Sequence, residues 1–248
     1  MHKIYFRFYE EINDFLPKEK RKVRFTHNYT DRASVKDVIE SLGVPHTEVD
    51  LILVNGKSVG FDYLINDGDD ISVYPVFESL DITDVQQLRP KPLREPKFIA
   101  DVHLGKLARY LRMMGFDVIY KNNYKDDEIV TLSLIETRAI LTRDRGILKR
   151  SEVTHGYWLR STKIKEQIIE VLKRFDLRNI IEEFSRCLDC NTMLKLISKS
   201  EIINELPPKV SKSQTEFSRC PACKKLYWKG THHQKMLSFI QSVKDIEF

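Results

Sequence analysis

The chain has 248 residues, of which 42% are hydrophobic and 31% are charged, a composition typical of a globular protein with buried cores. The length predicts about two domains of ordinary size. No segment approaches the roughly 20 apolar residues of a bilayer-spanning helix, and the N-terminus MHKIYFRFYEEIN carries acidic residues where a secretion signal is apolar. We therefore expect a cytoplasmic protein with no membrane partner.

The net charge of +5 is distributed unevenly along the chain. Residues 1–90 hold 11 basic and 16 acidic residues, which leaves 30 basic and 20 acidic residues for 91–248. A basic excess confined to one part of a chain favours contact of that part with nucleic acid, although a basic solvated surface explains it equally well.

Residues 1–82 have the pattern of a small α+β domain with the order strand, strand, helix, hairpin, strand. The predicted elements are strands at 3–9 and 21–27, with Val23 and Phe25 on one face, a helix at 34–44 that Ser34 caps and Gly43 ends, a hairpin at 51–59 turned at Asn55-Gly56, and a last strand within 64–77. With VNGK before LINDGDDISVYP, this order resembles the ubiquitin-like β-grasp fold of small sulfur-carrier proteins.

The carrier activity itself is not expected from this N-terminal domain. A sulfur carrier ends on a free Gly-Gly, whereas here the last strand continues into FESLDIT. Two interpretations remain, namely a module that binds a protein partner and a passive module that stabilises the chain. The following residues, 83–96, include three of the nine prolines and predict an extended linker, because proline fixes φ and cannot donate a ladder hydrogen bond.

Strands and helices alternate in residues 97–182. The predicted strands are 97–101, 117–121, 139–144 and 155–161, and the predicted helices are 104–116, 126–138 and 162–175. Such alternation is typical of an α/β fold with a parallel sheet covered by helices.

Three aspartates are placed where such a sheet usually binds ligands. Asp101 and Asp144 end two strands, and Asp126 opens the helix that follows a third. The carboxyl ends of parallel strands share one edge, and carboxylates that meet there need a cation, for which Mg²⁺ or Mn²⁺ is suited. Such ions support phosphodiester hydrolysis. Alternatively, Asp126 is an ordinary helix N-cap, and Asp101 and Asp144 are ordinary loop carboxylates.

Four arginines lie beside these aspartates and could bind phosphate, since a guanidinium matches phosphate oxygens in a bidentate manner. They are Arg109, Arg112, Arg143 and Arg145. The alternative is that they form salt bridges with the nearby acids.

The last quarter of the chain, 183–248, contains all four cysteines as two C-x-x-C pairs. They are Cys187 with Cys190, and Cys220 with Cys223. Four thiolates in this spacing predict a structural zinc ribbon, with iron–sulfur ligation as the minor alternative. We expect the intervening residues to form a loop or strand excursion of this ribbon.

A basic and aromatic segment, KKLYWKGTHHQKML, follows the cysteines. Tyr227, Trp228, Lys229 and His232 are candidates for RNA binding, because aromatic rings stack on unpaired bases while lysines contact phosphates. The alternatives are that the two rings pack the ribbon against the preceding domain and that His232 and His233 are surface or helix-capping residues.

Three stretches of the sequence resemble the Mut-seven C-terminal RNase domain family of PIN-like nucleases. They are DVHLGKLARYLRMMGFD (101–117), DDEIV (126–130) and LTRDRGIL (141–148), and the similarity extends over about 97–240. The resemblance implies a Rossmann-like sheet, an RNA substrate, and Asp101, Asp126 and Asp144 as metal ligands. The middle ligand is Asp126 or Asp127, and the spacing to Ile129 favours Asp126. Members of the family sometimes carry a β-grasp module in front.

These observations predict a ribonuclease that depends on Mg²⁺ or Mn²⁺ and also contains structural zinc. Its predicted fold is a PIN-like α/β domain with a C-terminal zinc ribbon, preceded by an α+β ubiquitin-like β-grasp domain. The rival function is a non-catalytic RNA-binding or ribosome-associated zinc-ribbon factor, and a third hypothesis is a protein-interaction adaptor built on the β-grasp domain. The RNA substrate, endo- or exonucleolytic action and activity on DNA stay open.

Overall fold

The structure is a computed structural model that describes residues 2–75, Leu88 and 96–246. The chain divides into two compact units, one formed by 1–95 and 126–158 and the other by 96–125 and 159–248. The predicted linker 83–96 lies outside the described residues apart from Leu88 and Pro96, and the division into four consecutive segments stays a prediction. None of the described helices has the length and apolar character needed to cross a membrane.

Residues 2–75 form a mixed five-stranded sheet with one α-helix. The elements are β1 (His2–Phe8), β2 (Phe25–Tyr29), α1 (Val35–Ser41), β3 (Leu51–Val54), β4 (Lys57–Ser58) and β5 (Asp70–Tyr74). The strand order is β2-β1-β5-β3-β4, in which only the β1–β5 pair is parallel. Alternating side chains of β1 are buried, and they pack with α1 and with residues of β2, β3 and β5 in one hydrophobic core.

Local sequence signals explain several boundaries of this sheet. The Ser34 hydroxyl accepts a hydrogen bond from the backbone N–H of Asp37 at 3.1 Å and so caps α1 as predicted. Gly43 has φ +102°, which ends the helix, and Asn55-Gly56 turns the β3–β4 hairpin with φ of +50° and +82°.

The second strand begins four residues later than the sequence predicts. Lys22 has φ +57°, and its N–H donates to the Asn13 side chain at 2.6 Å, so the chain turns before it can pair with β1. Val23 is 46% exposed, and the prediction that it shares a strand face with Phe25 was therefore wrong.

Residues 96–246 contain the remaining elements of the two units. They are β6 (Lys97–Ala100), α2 (Gly105–Met113), β7 (Val118–Ile119), α3 (Asp126–Glu136), β8 (Arg138–Thr142), α4 (Arg145–Leu148), β9 (Gly156–Trp158), α5 (Ile164–Arg174), β10 (Lys195–Ile197), α6 (Lys199–Ile202), α7 (Pro208–Ser213), β11 (Phe217–Arg219), β12 (Leu226–Trp228) and α8 (Thr231–Lys244).

Among the elements of residues 96–246, each unit contains a pair of parallel strands. In the first unit β8 pairs with β9, and all five residues of β8 are buried, as expected for a strand covered on both faces. In the second unit β6 pairs with β7, and β10-β11-β12 form an antiparallel ribbon. The predicted α/β class with parallel strands, the mixed N-terminal sheet and the C-terminal ribbon are confirmed.

The sequence did not predict the 14-residue helix α8. Its buried face is held by the rest of the second unit: Ile240 and Val243 are inaccessible to solvent, and the rings of Phe239 and Tyr110 lie 4.7 Å apart. The excursion between the cysteine pairs likewise contains α6 and α7 in addition to strands.

Candidate functional site

The four cysteines come together in the second unit as a cluster with the geometry of a metal site. Their Sγ atoms all lie within 4.8 Å of one another, with 3.6 Å between Cys187 and Cys223 and 3.3 Å between Cys190 and Cys220. A tetrahedral zinc–thiolate site, with Zn–S distances of about 2.3 Å, requires sulfurs about 3.8 Å apart. The cysteines are not in disulfides, and the cluster can hold a metal ion.

Both C-x-x-C turns have the same backbone geometry. The carbonyl of Cys187 accepts from the N–H of Asn191 at 3.0 Å, and that of Cys220 accepts from Lys224 at 2.9 Å. Asn191 and Lys224 have φ of +69° and +63°. Each C-x-x-C turn, which we call a knuckle, therefore closes through a left-handed residue directly after its second cysteine. Two such knuckles facing each other present four sulfurs to one point.

The sulfurs ionise unequally within the cluster. Burial opposes ionisation of Cys190, but hydrogen bonds with Thr192 and the neighbouring sulfurs outweigh it and lower the pKa to about 6. The backbone of Lys225 favours the thiolate of Cys223, yet burial and the neighbouring sulfurs raise its pKa to about 12. A divalent cation would offset the repulsion among the thiolates and so favour their deprotonation.

Arg112 joins the C-x-x-C turn of Cys187 and Cys190 to β7, the strand that follows α2. Its side chain is 4% exposed, and the guanidinium donates to the carbonyls of Val118 at 2.8 Å, Leu188 at 3.1 Å and Asp189 at 2.8 Å. These bonds give Arg112 a structural role, which the pattern of arginines in the sequence did not distinguish from phosphate binding. We therefore assign Arg112 to holding the ribbon in place and not to RNA binding.

Asn191 strengthens the same junction and was not singled out by the sequence. Its side-chain oxygen accepts from the N–H of Val118 at 3.0 Å, and its amide nitrogen donates to Asp117 at 2.8 Å. The ribbon is thus fixed to Asp117 and to the first residue of β7 by side chains that lie near the cysteines.

The aromatic residues after the second knuckle have packing roles in the ribbon. The Tyr227 hydroxyl lies 3.1 Å from the Cys187 sulfur and accepts from the N–H of Leu188 at 3.2 Å, and burial raises the pKa of Tyr227. Trp228 packs against the hydrophobic cluster that includes Phe217. Trp228 also lines a cavity together with Arg109 and His232, whereas Lys229 forms an ion pair with Glu216.

Asp101 follows β6 directly, in the second unit. It is 8% exposed, and its side chain accepts from the N–H of Val102 at 2.5 Å, which caps a short 3₁₀ turn over Val102–Leu104. The carboxylate is therefore held in a fixed orientation at the carboxyl end of its strand.

Asp144 lies two residues after β8, in the first unit. Its side chain is exposed and accepts from the N–H of Gly146 at 2.7 Å, while its own N–H donates to the Thr142 hydroxyl at 2.9 Å. These bonds make Asp144 the N-cap of α4 and orient its carboxylate at the end of the buried strand.

Asp126 and Asp127 differ in their partners. Both are exposed in the first turn of α3, but Asp127 forms an ion pair with Arg150 at 2.6 Å. The acidic residues therefore lie in two units, Asp126 and Asp144 in the first and Asp101 in the second, and their convergence on one metal ion stays a prediction.

The turn that carries Asp144 packs against the N-terminal module within the first unit. The guanidinium of Arg145 lies 4.0 Å from the ring centre of Trp158 and 5.0 Å from that of Phe15, and the two rings are 4.9 Å apart. The indole N–H of Trp158 donates to the carbonyl of Arg143 at 3.1 Å. Arg145 is thus engaged by aromatic rings, whereas the side chain of Arg143 is exposed.

Polar contacts extend this packing between the N-terminal module and the segment 145–158. The backbone N–H of Trp158 donates to the buried carboxylate of Glu48 at 2.7 Å. His46 lies 2.7 Å from the carbonyl of Val153, and Lys149 donates to the carbonyl of Glu40 at 2.8 Å. This face of the module is occupied by the chain itself, so an adaptor function would have to use another face.

Replacement of Glu48 by alanine should loosen the segment that follows β8. The change leaves the N–H of Trp158 without its acceptor, and a lost buried partner costs about 1–3 kcal/mol. We expect a lower urea midpoint and faster hydrogen exchange at residues 156–158. Glu19→Ala, at an exposed position of the same module, is the matched control and should leave the urea midpoint and the exchange rates unchanged. If the two variants have the same urea midpoint and the same exchange rates, Glu48 does not have this role.

Two protein families match the chain, one on each side of the predicted linker. Residues 96–240, more than half of the chain, match the family described as Mut7-C RNAse domain, and residues 1–81 match the family described as Mut7-C ubiquitin. Both matches confirm the resemblances noted in the sequence. Searches of curated proteins and of solved structures gave no match.

Proposed function

Because the chain belongs to the Mut7-C RNAse domain family, we propose that it is a ribonuclease that hydrolyses RNA phosphodiester bonds at a Mg²⁺ or Mn²⁺ site. The observation that carries the proposal is the match of residues 96–240 to that family. The proposed ligands are Asp101, Asp126 and Asp144, and their carboxylate oxygens are the donors that such hard ions prefer. A bound ion of this kind supplies an activated water and stabilises charge on the leaving oxygen.

Backbone hydrogen bonds orient two of the three proposed ligands. Asp101 and Asp144 are each held by a backbone N–H, so their carboxylates are oriented before any ion binds. Asp126 is preferred to Asp127 as the middle ligand, because Arg150 already neutralises Asp127. Preorganised ligands of this kind lower the cost of assembling a catalytic centre.

The proposed RNA contacts come from basic residues in both units. Arg143 has an exposed side chain next to Asp144 and would bind a phosphate near the scissile bond. Arg109 and His232 belong to the second unit, and Lys229 could contribute after exchanging its partner Glu216. Arg145 is assigned to positioning the turn, through its contacts with Trp158 and Phe15.

The cysteine cluster is proposed to bind Zn²⁺ as a structural ion. Four thiolates leave no open coordination position, so the ion would fold the ribbon and would not take part in catalysis. An iron–sulfur centre would instead give visible absorption bands in the purified protein, which we do not expect.

The proposal is tested by incubating the full chain with single-stranded and structured RNAs in the presence of Mn²⁺, Mg²⁺ or EDTA. We expect cleavage with Mn²⁺ or Mg²⁺ and none with EDTA, and the product ends will distinguish endo- from exonucleolytic action. A matched DNA panel tests whether DNA is also cleaved. Protein that binds RNA but cleaves none of the panel with either metal would favour the rival, a non-catalytic RNA-binding factor.

A further inference from the structure

A cavity of about 720 Å³ lies in the second unit between α2, α7, the zinc ribbon and α8. This volume is within the range of about 300–1,000 Å³ that is usual for small-molecule sites. The wall is mainly apolar and includes Val210 and the half-buried ring of Trp228. A ring held on one side by the ribbon's core and open on the other to a cavity can stack on a planar ligand.

The cavity also has a positive rim. Arg109 from α2 and Lys209 from α7 are both exposed at it, together with His232, and none of the described residues that line it is acidic. Lys225 lines it too, but it forms an ion pair with Asp189, a carboxylate outside the lining that also attracts Arg109. Arg109 and Lys209 therefore provide positive charge next to the apolar wall.

We propose that this cavity binds one unpaired nucleotide of single-stranded RNA, with its base stacked on Trp228 and its phosphate at Arg109 and Lys209. The inference rests on the proposed ribonuclease function and deepens it, because it assigns a subsite for unpaired substrate outside the three aspartates. An aromatic platform beside cations is the usual means of binding single strands without reading their sequence. A base in a duplex is already stacked and cannot enter such a cavity.

The two tryptophans, Trp158 and Trp228, allow a direct optical test. In the full-length, zinc-loaded Trp158→Phe, Asp144→Asn protein, Trp228 is the sole tryptophan and RNA cleavage is suppressed. We expect decauridylate to quench Trp228 emission in a saturable manner. Trp228→Leu should weaken binding, measured by the anisotropy of dye-labelled decauridylate, by about 5- to 150-fold, the usual range for one stacked base. Zinc content and circular dichroism verify that the leucine variant is folded.

Lys209 and Lys212 give a matched pair of variants, because both are exposed on α7 but only Lys209 lines the cavity. Lys209→Ala should weaken decauridylate binding and lower the slope of log affinity against log salt by about 0.7, the value for one phosphate contact on a single strand. Lys212→Ala should change neither.

The cavity proposal alone would be overturned by the following set of results. The wild type cleaves RNA, decauridylate does not quench Trp228 emission in the single-tryptophan protein, and the two lysine variants bind decauridylate equally. Quenching with no metal-stimulated cleavage by the wild type would instead overturn the ribonuclease and leave the subsite standing.

Discussion

The Asp144→Asn variant is expected to cleave RNA about 10²- to 10³-fold more slowly than the wild type, a loss on the scale of removing a principal electrostatic group from an active site. Asparagine keeps a side-chain oxygen for the N–H of Gly146, so the cap of α4 should persist. It lacks the negative charge that the proposed Mg²⁺ or Mn²⁺ ion needs. Single-turnover cleavage and RNA affinity, measured on the same preparation, separate chemistry from binding.

Three further asparagine variants make this test specific. Asp62→Asn changes an exposed carboxylate of the N-terminal module and should cleave at the wild-type rate. Asp126→Asn should lose most of the activity, whereas Asp127→Asn should retain most of it, because Asp127 is paired with Arg150. If Asp144→Asn and Asp62→Asn cleave equally fast, Asp144 is not a ligand of the catalytic ion.

The second large effect is expected for Cys187→Ser, which removes a fully buried ligand of the cysteine cluster. Zinc binding contributes on the order of 10 kcal/mol to the folding of small zinc modules, as much as the whole stability of an ordinary domain. The variant should lose stoichiometric zinc, and residues 185–228 should lose protection against hydrogen exchange. The bonds of Arg112 to Leu188 and Asp189 would be lost with it.

The matched control for this variant is Ala222→Ser, an exposed position between Cys220 and Cys223. It introduces the same side chain into a knuckle without removing a sulfur, and should keep one zinc per chain and normal protection. Zinc content is measured by elemental analysis and protection by mass spectrometry. A Cys187→Ser protein with full zinc content and protection equal to that of Ala222→Ser would refute the structural zinc site.

Features governed by local chemistry were predictable from the sequence. Ser34 caps α1 and Asn55-Gly56 turns a hairpin, because a few adjacent residues determine each of these geometries. The two C-x-x-C pairs are distant in sequence, and their meeting was predictable because four thiolates in this spacing suit one metal ion. The placement of Asp101 and Asp144 after strands was predictable for the same reason, since buried apolar runs end there.

Features that depend on distant segments were not predictable. Arg112 has the same local pattern as a phosphate-binding arginine, and only the return of the chain at Leu188 and Asp189 makes it structural. The packing of Trp158 on Phe15 and Glu48 joins residues more than a hundred positions apart. Helix α8 has a mixed sequence, and burial of Ile240 and Val243 against the second unit stabilises it.

The most direct test of the proposed ribonuclease is the cleavage rate of one end-labelled single-stranded RNA by EDTA-treated, zinc-retaining full-length protein during a titration with Mn²⁺. We predict no cleavage before addition, saturable recovery in the wild type, and about 10²- to 10³-fold slower cleavage by Asp144→Asn at every Mn²⁺ concentration. Cleavage that persists in EDTA, or recovery that is the same in both proteins, would contradict it.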